Sequence, residues 1–247
     1  MPDVNQVDQY LLELINRHAI PGFDGFFRVS THFGSVAFWL AAFAAYSLIG
    51  KKKLIAAIFI LALLFGTVIN EDIKNIVQRE RPEGAIVGAS LTPVNYSFPS
   101  QHAQTAFMLA ALATALLGIK YGLYAYLFAG YVALSRMYLG VHYLTDVAAG
   151  AVIGIVIAEL VMLALYFNGV TKKTGLTGRF IQLGGITPPV EIATRGQMIV
   201  GLIIFLTGTG IATLAMLTSQ YIVSLVFIAL TYIAILKLPL AYAFFKA

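Results

Sequence analysis

Apolar residues gather in seven stretches along the chain, at 33–49, 54–69, 103–119, 121–139, 143–167, 198–217 and 221–236. Each approaches or reaches the ~17–25 residues that a helix needs to cross a bilayer. None alternates in the manner of a lipid-facing barrel strand, and a helix satisfies its own backbone groups where there is no water. The pattern predicts an all-α fold, a polytopic bundle of transmembrane helices. Residues 1–32 read differently. Val7, Tyr10, Leu11, Leu14 and Ile15 fall on one face of a helix, with Asp8, Glu13, Asn16 and Arg17 on the other. The run Pro21-Gly22-Phe23-Asp24-Gly25 reads as the turn that stops it. This predicts a short helix lying in the membrane interface. No cationic segment precedes an early apolar run, so a cleaved signal peptide is not expected.

Composition agrees with lipid as the solvent. Hydrophobic residues make up 60% of the chain and charged residues 11%, with a mean hydropathy of +0.86, against about 25% charge in soluble domains. With no cysteine, a disulfide scaffold is excluded. The net charge of +5 reads as loop asymmetry, not as a nucleic-acid footprint. Seven crossings put Lys51, Lys52, Lys53, Lys120, Lys172, Lys173, Arg179, Arg195, Lys237 and Lys246 on one side, 10 of the 16 basic residues. By the positive-inside bias that side is cytoplasmic. Residues 169–197, polar, glycine-rich and carrying Pro188-Pro189, read as a cytoplasmic linker. It divides a core, 1–168, from a C-terminal transmembrane hairpin, 198–247.

Three polar clusters interrupt the apolar pattern, all on the outer side. The first runs from Lys74 to Pro82. Lys74 and Arg81 are seven apart and would share one face of a helix that Pro82 ends, two cations able to converge on one anion. The second is Pro99-Ser100-Gln101-His102, directly before an apolar run. Ser100 suits an N-cap, and the helix start offers backbone N–H groups to a phosphate. The third places Arg136 at the end of one span and His142 at the start of the next, with Asp146 one helical turn further on. That spacing lets the carboxylate reach an imidazole N–H and leaves the other ring nitrogen as a nucleophile. Cationic clamps, a nucleophile and an acid are the parts of phosphoryl transfer.

These motifs, Lys74…Arg81-Pro82, Pro99-Ser100-Gln101-His102 and Ser135-Arg136…His142…Asp146, resemble the type 2 phosphatidic acid phosphatase (PAP2) superfamily over residues 1–168. The superfamily also includes vanadium haloperoxidases and glucose-6-phosphatase. The resemblance implies that His142 attacks phosphorus to form a phosphohistidine, that Asp146 orients it, and that His102 protonates the leaving group and then activates water. Lys74, Arg81, Ser100, Gln101 and Arg136 would bind the phosphate oxygens, with no metal and no cofactor. Gln101 stands where relatives often carry Gly, at a position that serves through its backbone N–H. The implied partner is a lipid phosphate in the membrane, with a polyprenyl diphosphate such as undecaprenyl diphosphate favoured over phosphatidate or phosphatidylglycerophosphate. The implied location is the plasma membrane, with the site on the extracytoplasmic face.

Other polar residues are assigned elsewhere. Glu159 lies about 20 Å along its helix from Asp146 at 1.5 Å per residue and is given a structural role. His18 and His32 read as interfacial, and Arg79, out of register with Lys74 and Arg81, as a solvated or headgroup contact. Glu71 and Asp72 would balance the first cluster. The small residues Ala148, Ala149, Gly150, Ala151 and Gly154 read as a helix-packing face. A competing function, an anion transporter or channel, would need polar residues deep in several spans, and only Glu159 is deep.

Overall fold

The computed structural model describes residues 4–17, 23–50, 53–83 and 95–167. Every element in them is helical: α1 (Val4–Arg17), α2 (Phe23–Ser30), a 3-10 turn (Thr31–Gly34), α3 (Val36–Ile49), α4 (Lys53–Val77), α5 (Gln101–Leu117), α6 (Ile119–Tyr138) and α7 (Leu144–Phe167). The five apolar stretches of the core therefore form helices, and α4 and α7 are each long and apolar enough to cross a membrane. A bent pair, Phe23–Gly34 with Val36–Ile49 at 55°, makes a third candidate span. The linker and the C-terminal hairpin lie outside the described residues.

Three local readings are corrected. Helix α2 begins at Phe23, inside the run read as a turn; Gly25 is tolerated because nothing lies within 4 Å of where its Cβ would be. Helix α4 stops at Val77, not at Pro82: Gln78 adopts φ 52 and its N–H bonds back to the Lys74 carbonyl at 2.8 Å, a left-handed C-terminal closure. In α1, Asp8 and Leu12 are the buried residues, while Val7, Tyr10 and Leu14 are exposed. Periodicity finds an apolar face but does not say whether lipid or protein covers it.

The core forms where α4, α5 and α7 meet, around Leu63, Met108, Leu112 and Ile157. Glycines let α7 approach α5 closely. A Cβ on Gly150 would stand 2.4 Å from the Ser100 carbonyl oxygen, and one on Gly154 would stand 2.2 Å from that of Gln104. Of the packing face read at 148–154, Gly150 and Gly154 meet α5, whereas Ala148 is exposed. Helices α4 and α5 are pinned by a buried amide pair: Asn70 Nδ2 donates to Gln104 Oε1 at 2.7 Å, and Gln104 Nε2 donates to the Gly66 carbonyl at 2.6 Å. Such a bond satisfies two polar groups where lipid offers no partner. Helix α6 packs on α5 through Ala106, Ala110, Ala129 and Val132. Glu159 faces outward on α7, on the same side as Val152 and Val156, away from the polar clusters.

Candidate active site

The same helix ends that the sequence marks as polar come together at one end of the bundle. The Ser100 N–H donates to the Asp146 carbonyl at 3.0 Å, which joins the start of α5 to the start of α7. The chain leaving α4 and the chain entering α5 meet here, with Ser97 N–H bonded to the Arg79 carbonyl at 2.8 Å.

His142 is 2% exposed and stands between a cation and a carboxylate. Its Nε2 is 3.2 Å from Arg81 Nη1, and its Nδ1 is 3.5 Å from Asp146 Oδ2. The second separation exceeds a good hydrogen bond, so the pairing expected from the i,i+4 spacing is a close contact that stops short of a bond. This arrangement directs an Nδ1–H toward Asp146 and the Nε2 lone pair toward Arg81. Burial pushes the His142 imidazole down to about 3, against the nearby Asp146 carboxylate and with Arg136 and Arg81 adding to the fall. The ring is neutral at physiological pH, as a nitrogen nucleophile requires.

Arg81 and Arg136 are the cations that act on this ring. Arg81 lies on the loop after α4, so it does not share a helical face with Lys74, yet its Nη1 reaches both His142 and the Val141 carbonyl (2.7 Å). Its Nε and Nη2 hold the Asn95 carbonyl and Oδ1, each at 2.8 Å. Burial lowers Arg81 to about 10, against the raising charges of Asp146 and Glu71, which leaves it cationic. Lys74 is buried on the last turn of α4, with Nζ 3.5 Å from Glu71 Oε1. Arg136, 5% exposed on the last turn of α6, donates from Nη1 to Thr31 Oγ1 at 2.7 Å. Its Nε and the Ser100 hydroxyl are buried and have no hydrogen-bond partner among the described residues. Buried donors left without a partner are groups that a bound anion would satisfy. His102, in the first turn of α5, has Arg136, His142, Lys74 and His32 as its electrostatic neighbours. Gly34 backs onto its ring, where a Cβ would stand 3.0 Å from His102 Cδ2. Every sequence-predicted site residue therefore lies in or beside one cluster, Gln101 contributing from the first position of α5.

Arg79 does not take the solvated position expected of it. It is 19% exposed, donates from Nη1 to Asp146 Oδ1 and Thr145 Oγ1, both at 2.7 Å, and from Nη2 to Asp8 Oδ2 at 2.8 Å. These bonds to Asp8 and Asp146 hold it above its ordinary value, against burial. Asp146 is further held at Oδ2 by the Ser97 hydroxyl and by the Tyr143 N–H at 2.9 Å. Asp8, Thr31, Asn95, Ser97 and Thr145 were not legible as site residues. Once α4 ends at Val77, residues 79 and 81 both lie on non-helical chain, and Arg79 reaches Asp146 as Arg81 reaches His142.

The PAP2 superfamily pattern matches residues 55–169. A decaprenylphosphoryl-5-phosphoribose phosphatase of Mycobacterium tuberculosis is 41% identical over 91 residues, covering 36% of this chain and 49% of that protein. Its namesake from Mycolicibacterium smegmatis is 36% identical over 130 residues, 50% of this chain and 68% of that protein. The chain thus spans about half the length of the first relative and two thirds of the second. Among solved structures, a transmembrane PAP2-type phosphatidylglycerolphosphate phosphatase from Bacillus subtilis superposes with a TM-score of 0.55 at 24% identity. That match covers 72% of this chain and 89% of that one. The chain belongs to the PAP2 superfamily, whose relatives here are named as phosphatases, and it has the fold of an integral membrane protein.

Proposed function

We propose that this protein is an integral-membrane PAP2-type phosphatase that hydrolyses a lipid-linked phosphate or diphosphate through a phosphohistidine intermediate. The observation that carries the reading is the buried His142 set between Arg81 and Asp146, at the same end of the bundle as the unpartnered donors of Ser100 and Arg136. In this reading His142 Nε2 attacks phosphorus, forming an N–P bond as the P–O bond to the lipid alcohol or lipid phosphate breaks. His102 gives a proton to the departing oxygen and then takes one from the water that cleaves the N–P bond. Lys74, Arg81, Arg136, the Ser100 hydroxyl and the N–H groups at the start of α5 stabilise the charge that grows on the non-bridging oxygens. The cations supply what a metal would otherwise supply, so divalent metal is not required.

A polyprenyl-linked substrate, undecaprenyl diphosphate in the first instance, is the favoured class, and the decaprenyl carriers in the names of the mycobacterial relatives support it. A phosphatidylglycerophosphatase B of Bacillus subtilis, 33% identical over 115 residues, supports glycerophospholipid phosphates as the second reading. The site faces the extracytoplasmic side of the plasma membrane, opposite Lys51–Lys53. The test is phosphate release in detergent, with chelator present, from a panel of isoprenoid diphosphates, isoprenoid-linked phosphates and glycerophospholipid phosphates. Release from at least one class, abolished by His142→Ala, is expected. Equal release by wild type and variant from every substrate would overturn the reading.

A further inference from the structure

An aspartate on an amphipathic helix is expected to face water, yet Asp8 of α1 is 1% exposed. Its oxygens accept from three donors: the Thr145 N–H at 3.1 Å on Oδ1, and on Oδ2 the Thr145 hydroxyl and Arg79 Nη2 at 2.8 Å. Thr145 is the second residue of α7, so the carboxylate caps the helix that begins with the catalytic segment. Arg79 then carries the connection inward, its other terminal nitrogen lying 2.7 Å from Asp146 Oδ1. The guanidinium is planar and its fork is fixed, so anchoring one end on Asp8 aims the other at Asp146. The second carboxylate oxygen is held by Ser97 and Tyr143, which leaves the Asp146 plane no freedom to turn away from His142 Nδ1.

We propose that Asp8 is a positioning residue for phosphoryl transfer: acting through Arg79, it fixes Asp146 and keeps that carboxylate's charge available to His142. This rests on the proposed phosphatase reading. The charge balance supplies the second half of the statement. Arg79 alone beside Asp146 would neutralise it, whereas Asp8, Arg79 and Asp146 together keep one net negative charge on the Nδ1 side of the imidazole, opposite Arg81 at Nε2. His142 gains positive charge as its nitrogen bonds to phosphorus, and that negative charge stabilises the change. Helix α1 is therefore part of the catalytic apparatus, with Val7, Tyr10 and Leu14 outward and Asp8 inward.

The experiment compares Asp8→Ala, Asp8→Asn, Arg79→Ala, the Asp8→Ala/Arg79→Ala double variant and Leu12→Ala, each in the full chain. The substrate is the lipid phosphate that wild type cleaves fastest. Asp8→Ala should lower kcat at least tenfold, and Asp8→Asn less, while competitive inhibition by inorganic phosphate changes less than threefold. The double variant should be no slower than Arg79→Ala alone, because the two residues act in series. Leu12→Ala loosens the same helix without touching the carboxylate and should keep kcat within threefold. The proposal is overturned if Asp8→Ala keeps wild-type kcat, if its effect multiplies fully with that of Arg79→Ala, or if Leu12→Ala is equally slow. Loss of monodisperse elution by both Asp8 variants would make Asp8 a folding residue and overturn it too. Absence of phosphate release by wild type would instead remove the phosphatase reading.

Discussion

Gly150 of α7 backs directly onto the Ser100 carbonyl of α5, so closely that a Cβ would stand 2.4 Å from the oxygen. Ser100 carries the hydroxyl and leads into the helix start of the candidate phosphate cradle, and Gly150 sits one turn below Asp146. The glycine therefore sets the distance between the cradle and the residues around the nucleophile. Gly150→Ala should push the two helix starts apart and lower kcat/KM by roughly 10- to 100-fold, the order seen for small misplacements of reacting groups. Gly130→Ala, where nothing lies within 4 Å, should leave activity within about twofold, since exposed substitutions are close to neutral. Matched kinetics and thermal unfolding of the two variants check this.

Thr31 orients Arg136 through a single charge-assisted bond of 2.7 Å. Thr31→Val keeps the shape and removes the acceptor. A bond to a charged group contributes ~1.5–3 kcal/mol, so kcat/KM should fall by roughly 10-fold or more while the fold persists. Steady-state kinetics with circular dichroism decide it, and an unchanged kcat/KM would mean that Arg136 is oriented by something else.

Arg81 serves the loop and His142 at once, bonding Asn95, Tyr96, Val141 and His142. A lysine keeps the charge but not the fork. Arg81→Lys should therefore cost kcat/KM about 100-fold, near the scale of losing an oxyanion donor. A loss below about fivefold would show that charge alone suffices.

Much of this site is legible from spacing. Lys74, Arg81, His102, Arg136, His142 and Asp146 announce themselves because ionisable groups at the ends of apolar spans are rare and costly, and Ser100 because it opens an apolar run as an N-cap residue. The five core helices follow from apolar length alone. What spacing cannot convey is pairing across the fold. Asp8 meets Arg79 across 71 positions and Thr145 across 137, and Ser97 meets Asp146 across 49. Each of these looks, within its own segment, like a surface residue. The end of α4 was misplaced for a different reason: the helix yields at Gln78, a residue with no turn signature, before the proline that would have stopped it.

His142 also links protonation to stability. An imidazole in the unfolded chain titrates near ~6.5, whereas the folded ring is pushed down to about 3 by burial. Between those values the unfolded chain binds a proton that the folded chain does not, so folded-state stability declines as pH falls below ~6.5. The thermal midpoint of His142→Asn should therefore drop less than that of wild type between pH ~7 and ~5. Nitrogen-15 NMR of labelled histidine should show the wild-type ring neutral across that range.

The chain has no cysteine, so a single introduced thiol reports its own side of the membrane. Lys52→Cys should be shielded from an impermeant maleimide in intact cells, and Glu83→Cys should be labelled. The reverse pattern would put the candidate site in the cytoplasm and remove the extracytoplasmic reading.

The amide pair of Asn70 and Gln104 has a mechanical consequence. It acts as a key between α4 and α5, and one residue of axial slip, about 1.5 Å, would break both of its bonds. Lys74 rides one turn beyond Asn70, and Ser100 one turn before Gln104. A bilayer that thickens or thins can tilt this pair of helices as a unit, but it cannot stagger them. The helix ends that carry Lys74 and Ser100 thus stay level with each other whatever membrane surrounds them.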